Sequence, residues 1–201
     1  MHDEREDLCA GVAALMQARR TVLPRRLGAP GPDRTQLELL LRAAATAPDH
    51  GQLLPWRFVE VPTDARAALA EVFAAAMLER DPAAAPEDLA RAREKAHRAP
   101  LLLLVVVNAV RGDASVDLLE RMVSAGCAIQ NLLLMATAQG FGSALTSGKA
   151  LKSDGLRAMF GLTAADHALC FISVGTVVSA KPGRVRPEPA DFFSVLTPPA
   201  V

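Results

Sequence analysis

Between Ala125 and Ala138 only Gln130, Asn131 and Thr137 interrupt a run of apolar or small residues. A helix over this stretch is apolar around most of its circumference and must be buried on several sides. It is too short and too often broken by amides for a bilayer span, which takes about 18 or more consecutive apolar residues, so protein must cover it. A single small domain rarely surrounds a helix completely, and the pattern therefore predicts a core shared with a second subunit. Gln139-Gly140-Phe141-Gly142 supplies a helix-ending glycine, and Ser143 to Ser147 reads as a short buried strand.

The rest of the pattern frames this centre. Leu8, Val12, Leu15 and Met16 recur at helical spacing and predict a first helix from about Leu8 to Arg19. Thr35-x-x-Glu38 reads as a capping box for a second helix from Thr35 to about Ala45, stopped by Pro48. Gly28 to Pro32 reads as a linker, and Arg57 to Val61 alternates as a strand does. Thr63-Asp64 caps a third helix to about Arg80, and Pro86-Glu87-Asp88 opens a fourth to about His97. Leu101 to Val107 is an unbroken aliphatic run, a strand covered on both faces. The central helix begins near Val116, a short helix runs from Ser153 to Phe160 before Gly161, and Ala168 to Gly175 is a further aliphatic strand. Helices and strands interleave, which predicts a small sheet with helices packed on both faces and more helix than strand. The tail turns basic over Lys181 to Pro187 and ends in Phe192, Phe193, Val195 and Leu196, an apolar cluster that needs a groove on its own chain or a neighbour.

Composition narrows the partners. The 201 residues read as one domain, and 22 basic residues balance 22 acidic ones, so no overall field favours nucleic acid or an anionic membrane. An anionic ligand must then be held by a local arginine cluster. Cys9, Cys127 and Cys170 have no C-x-x-C spacing and read as reduced, mostly buried thiols of a cytoplasmic protein. The N-terminus carries charges of both signs and lacks a signal peptide's long apolar region.

Most familiar chemistries fail on inspection. No G-x-G-x-x-G follows a strand, no H-E-x-x-H or histidine pair suggests a metal, and G-x-S-x-G is missing. What remains begins with Arg19-Arg20-Thr21-Val22-Leu23-Pro24-Arg25-Arg26, where a hydroxyl among guanidinium groups suits a phosphate held by forked contacts. The loop Ala47 to Trp56 sets His50, Asp49 and Gln52 beside the only tryptophan. A second basic cluster follows at Lys181 to Arg186.

These residues together resemble the FMN-dependent nitroreductase family in its compact form. Arg19-Arg20-Thr21 is similar to the Arg-Arg-Ser after the family's first helix, and Ala43 to His50 with Pro55-Trp56 resembles its loop beside the flavin. Arg98-Ala99-Pro100, Ser124-Ala125-Gly126, Gly140-Phe141-Gly142 and Gly175-Thr176 follow in the family's order. The resemblance implies an α+β three-layer sandwich, a small mixed sheet flanked by helices, and an intertwined homodimer. An arm from about residue 179 to 201 would embrace the partner, and two FMN molecules would sit between subunits. It implies that Arg19, Arg20 and Thr21, with Arg184 or Arg186, hold the phosphate end. Thr46, Pro48, Asp49, His50 and Gln52 would approach the flavin ring from the other subunit, and Leu145, Thr146, Ser147 and Gly148 would line the site. Hydride from NADH or NADPH would pass by a ping-pong route to a nitroaromatic, quinone or similar acceptor. The cofactor carries that chemistry, which suits the missing triads. Related proteins often carry arginine where Thr46 and Thr146 stand, and glutamine where Leu54 stands. The implied alternative is a dimer of this fold with weak or lost FMN, serving as a binding or regulatory protein.

Overall fold

Asp117 accepts a hydrogen bond from the Leu119 amide and starts the longest helix, Leu118–Ala138. The computed structural model describes residues 2–179 and 185–197. In chain order it holds α1 (His2–Ala18), β1 (Leu27–Gly28), α2 (Arg34–Ala44), β2 (Trp56–Glu60), α3 (Arg66–Leu78) and α4 (Pro86–Glu94). There follow β3 (Leu101–Asn108), α5 (Leu118–Ala138), β4 (Gly142–Thr146), α6 (Asp154–Met159) and β5 (Asp166–Val177).

β5 is the centre of the sheet. β3 lies along one side of it with β2 beyond, and β4 and then β1 lie along the other. Every ladder is antiparallel; the parallel component of the expected mixed sheet is a single bridge between Thr21 and Ser143. The aliphatic run of β3 divides by period two, as a doubly covered strand must. Leu101, Leu103, Val105 and Val107 pack against α2 and α5, while Leu102, Leu104 and Val106 pack with Leu69 of α3 and Leu156 of α6. The result is the expected three-layer α+β sandwich.

The boundaries differ where side-chain chemistry moved them. α2 is capped by Asp33, which accepts from the Gln36 amide at 2.8 Å while the Gln36 side chain accepts from the Asp33 amide at 2.9 Å. The box is thus Asp33-x-x-Gln36 and not Thr35-x-x-Glu38, because Pro32 delivers the chain extended to Asp33. A short turn, Thr63–Ala65, precedes α3, which has no side-chain cap. Buried Arg66 organises this corner instead, donating to the carbonyls of Val61, Ala96, Ala99 and Pro100 at 2.7 to 3.2 Å. The expected linker at residue 28 is interrupted, since Leu27–Gly28 pairs with Val177 and Thr176. Cys170 is buried, and desolvation pushes its thiol up to about 11. Cys127 is half-buried and Cys9 is exposed, so the thiols are less hidden than their apolar neighbours suggest.

The end of α5 is glycine-controlled as expected. Gly140 has φ +83°, its amide donates to Thr137, and the Phe141 amide donates to Ala136. This is the Schellman pattern. A Cβ at Gly140 would meet nothing within 4 Å, so Gly140→Ala isolates the backbone cost and should lower stability by about 1 to 2 kcal/mol in urea unfolding. At Gly142 the reason is space: a Cβ there would lie 2.6 Å from Val177 and 2.8 Å from Leu27.

Candidate functional site

Where α1 ends, the chain turns alongside β4. Thr21 bridges Ser143 in parallel, and the Val22 amide donates to the Ser143 carbonyl at 2.9 Å. The Arg186 guanidinium reaches back from the tail and donates to the Arg19 carbonyl at 2.9 Å. Arg20 donates to the Gln17 carbonyl. Arg19, Arg20 and Arg186 therefore converge, and none forms an ion pair among the described residues. Burial, then the charge of Arg186 and that of Arg20, lowers the Arg19 guanidinium pKa from its ordinary value. Crowded like charges of this kind are relieved by an anion, and a forked donor set matches a phosphate. Thr21 adds an exposed hydroxyl, and the Ser143 hydroxyl beside it is buried without a hydrogen-bond partner among the described residues. Arg184 lies outside the described residues.

Four extended residues beyond Arg19, a reach of about 13 Å, bring the chain to Leu23. Leu23 to Arg25 and Thr146 to Ala150 share the wall of a cavity of about 410 Å³ floored by Phe73, Met77 and Phe171. Of the residues expected here, Thr146, Ser147 and Gly148 line the cavity. Leu145 precedes them on β4, half-exposed and outside the lining.

The loop expected at a flavin ring sits elsewhere in the same chain. The Thr46 hydroxyl donates to the Ala43 carbonyl at 2.8 Å and accepts from the Asn131 amide at 3.0 Å, which binds the loop to α5. His50 Nδ1 lies 2.6 Å from the Glu120 carboxylate at the start of α5. Asp49 accepts from the Leu54 amide at 2.6 Å. Gly51, Gln52 and Leu54 all have positive φ, of 66°, 53° and 47°. For the latter two this conformation is strained, at about 1 to 3 kcal/mol each, and it is held by the Asp49 bond and the anchors on α5. Trp56 is a buried support under the loop, its indole donating to the Ser124 hydroxyl at 3.1 Å. Pro48, His50 and Gln52 are exposed. None of the hydrogen bonds among the described residues joins this loop to the Arg19 cluster: the loop is anchored on α5 through Glu120, Ser124 and Asn131, whereas the cluster lies at the end of α1 beside the start of β4.

Exposed apolar surface lies around both. α1 leaves Leu8, Val12 and Met16 open, α5 exposes Leu119 and Val123, and Phe192, Phe193, Val195 and Leu196 are 70 to 90% exposed. Within the stretch Ala125 to Ala138 itself, Ala125, Ala128, Ile129, Leu132, Leu133 and Ala136 are buried and only Gly126, Gln130 and Ala138 are exposed, so the open stripe lies on the N-terminal part of α5. No helix among the described residues is long and apolar enough to cross a membrane.

Of the cations that rim the cavity, sequence reasoning included Arg25 in its arginine cluster but gave no site role to Arg80, Lys95, Arg98 or Lys149. Lys149 adjoins the expected site segment that ends at Gly148 and could have been found. Arg80, Lys95 and Arg98 lie in or beside an alanine-rich stretch whose pattern gave no orientation.

A family model described as the nitroreductase family matches residues 16–176. A Haemophilus influenzae protein provisionally named an NAD(P)H nitroreductase is 38% identical over 152 residues, covering 76% of this chain and 82% of its own length. A nitroreductase-like family protein from Bacillus cereus superposes with a TM-score of 0.76 at 21% identity, over 92% of this chain and 95% of that one. A provisionally named nitroreductase from Desulfovibrio desulfuricans, solved in complex with FMN, gives a TM-score of 0.69 at 22% identity over 93% and 98% of the two chains.

Proposed function

The chain belongs to the nitroreductase family and is an oxidoreductase, and from that premise we propose an FMN-dependent enzyme that moves hydride from NADH or NADPH to a nitroaromatic, quinone or similar acceptor by a ping-pong route. The observation that carries this reading is the convergence of Arg19, Arg20 and Arg186 without a carboxylate among the described residues. That donor set fits the phosphate of FMN, with the Thr21 hydroxyl beside it. Thr146, Ser147 and Gly148, following Leu145, form the wall for the ring end. Bound there, FMN would supply the two-electron chemistry that links the nicotinamide to the acceptor.

The protein's own part is to bind, orient and exclude water. Pro48, Asp49, His50 and Gln52, held on a strained loop away from the arginine cluster, complete the site of a partner subunit in a homodimer. The exposed faces of α1 and α5 and the apolar end of the arm supply the surface for such pairing. The single domain of residues 1–201 then includes an arm, from about residue 179, that embraces the partner. Thr46 has both hydroxyl functions engaged within its own chain. That favours an anchoring role for Thr46 over direct contact with the ring.

Titrating the purified protein with FMN should quench flavin fluorescence, and NADPH should then bleach the visible flavin band under anaerobic conditions. A protein that leaves FMN fluorescence unchanged would overturn the enzyme reading in favour of a flavin-free binding or regulatory dimer.

A further inference from the structure

The cavity floored by Phe73, Met77 and Phe171 has a wall chemistry that hydride transfer alone does not require. Its lining includes Arg25, Arg80, Lys95, Arg98 and Lys149 and no aspartate or glutamate. Arg98 is turned toward Glu94, with bonds of 3.3 and 3.1 Å, and Arg80 donates to the Ala76 carbonyl at 2.9 Å. Lys95 and Lys149 have no ion-pair partner among the described residues, and Arg25 acts on Glu94 only from beyond ion-pair distance. The floor is rigid and aromatic: Phe171 meets Phe73 edge-on at 5.7 Å and 88°, and Phe160 at 6.2 Å and 64°. A volume of about 410 Å³ falls within the range of small-molecule sites. An excess of cations above an aromatic floor is complementary to a flat apolar body bearing a negative group.

We propose that this cavity selects aromatic electron acceptors that carry an anionic substituent, with the ring on the Phe73–Phe171 floor and the anion toward Arg25, Lys95 and Lys149. The inference rests on the flavin reading above, because Thr146 to Gly148 are shared between the cavity and the proposed wall for the flavin ring. For a nitroarene the first step converts nitro to nitroso and water. It uses two electrons and two protons, one proton arriving with the hydride that originates on NAD(P)H and one coming from solvent.

The test compares 4-nitrobenzoate with 4-nitrobenzamide, which differ in charge and little in shape. Calorimetric binding to the FMN-supplemented dimer should favour the carboxylate at least tenfold at low salt, and the preference should shrink as ionic strength rises. Lys95→Glu and Lys149→Glu should each reduce the carboxylate-to-amide ratio severalfold, and together by at least tenfold. Both lysines are exposed, so folding should survive, and circular dichroism verifies it. Equal affinity of the wild type for both compounds, or equal losses for both in the variants, would overturn the proposal. Flavin content measured on the same samples separates the two failures: bound FMN with no charge preference defeats only the anion site, whereas absent FMN defeats the flavin reading.

Discussion

Arg121→Met is expected to lower the unfolding free energy by about 3 to 5 kcal/mol, enough to unfold a large fraction of a domain whose total stability is about 5 to 15 kcal/mol. Arg121 is 1% exposed on the inner face of α5 and forms no ion pair among the described residues, its charge acting on the Asp113 carboxylate only from a distance. Its guanidinium donates to the carbonyls of Val116, at 3.0 Å, and Arg111, at 2.7 Å, and also to Asp113 and Asn108. One side chain thus gathers the whole turn between β3 and α5. Methionine keeps most of the apolar stem but leaves several carbonyls without a donor, each costing about 1 to 3 kcal/mol when it cannot rehydrate. Some rehydrate as the turn loosens, which holds the total below the sum. Urea unfolding followed by far-UV circular dichroism reads the change. A loss under 1 kcal/mol would mean that the turn is held by something other than Arg121. Arg66 plays the corresponding part on the other face.

Arg19→Ala should weaken FMN binding by at least tenfold while leaving riboflavin affinity almost unchanged. Charge-assisted hydrogen bonds are worth about 1.5 to 3 kcal/mol, and each 1.4 kcal/mol is about tenfold in affinity. Because Arg19, Arg20 and Arg186 repel one another, removing one also relieves the remaining pair, so the loss falls toward the lower end of the range. Riboflavin lacks the phosphate and serves as the internal control. Fluorescence titration with both flavins measures the effect, and retention of FMN through gel filtration equal to that of the wild type would refute the phosphate role.

Much of this architecture is written in local pattern. The aliphatic run of β3 could only be a doubly covered strand, and Gly140 after a long apolar helix could only be its end. Arg19-Arg20-Thr21 stood out because guanidinium groups flanking a hydroxyl are unusual for a plain surface turn. The parts that were not legible depend on long-range geometry. Arg66 and Arg121 gave no signal, since nothing near them in sequence shows that their acceptors are backbone carbonyls up to 34 residues away. β1 is two residues long, too short for any period, and exists because β5 runs on to Val177. The positive φ of Gln52 and Leu54 contradicts their local preference and follows from the Asp49 bond and the packing of Trp56. Lys95 and Arg98 were invisible as a group with Lys149 because only the fold brings α4 and the end of β4 to one cavity.

The contact between Arg186 and the Arg19 carbonyl spans 167 positions and has a bearing on biosynthesis. Synthesis proceeds from the N-terminus at about 5 to 20 residues per second, so the early arginines leave the ribosome many seconds before the residue that completes their cluster. A nascent chain arrested between Val177 and the tail would hold its sheet-forming strands yet still lack the third guanidinium. If this cluster holds the FMN phosphate as proposed, full-strength cofactor capture waits until translation is almost finished.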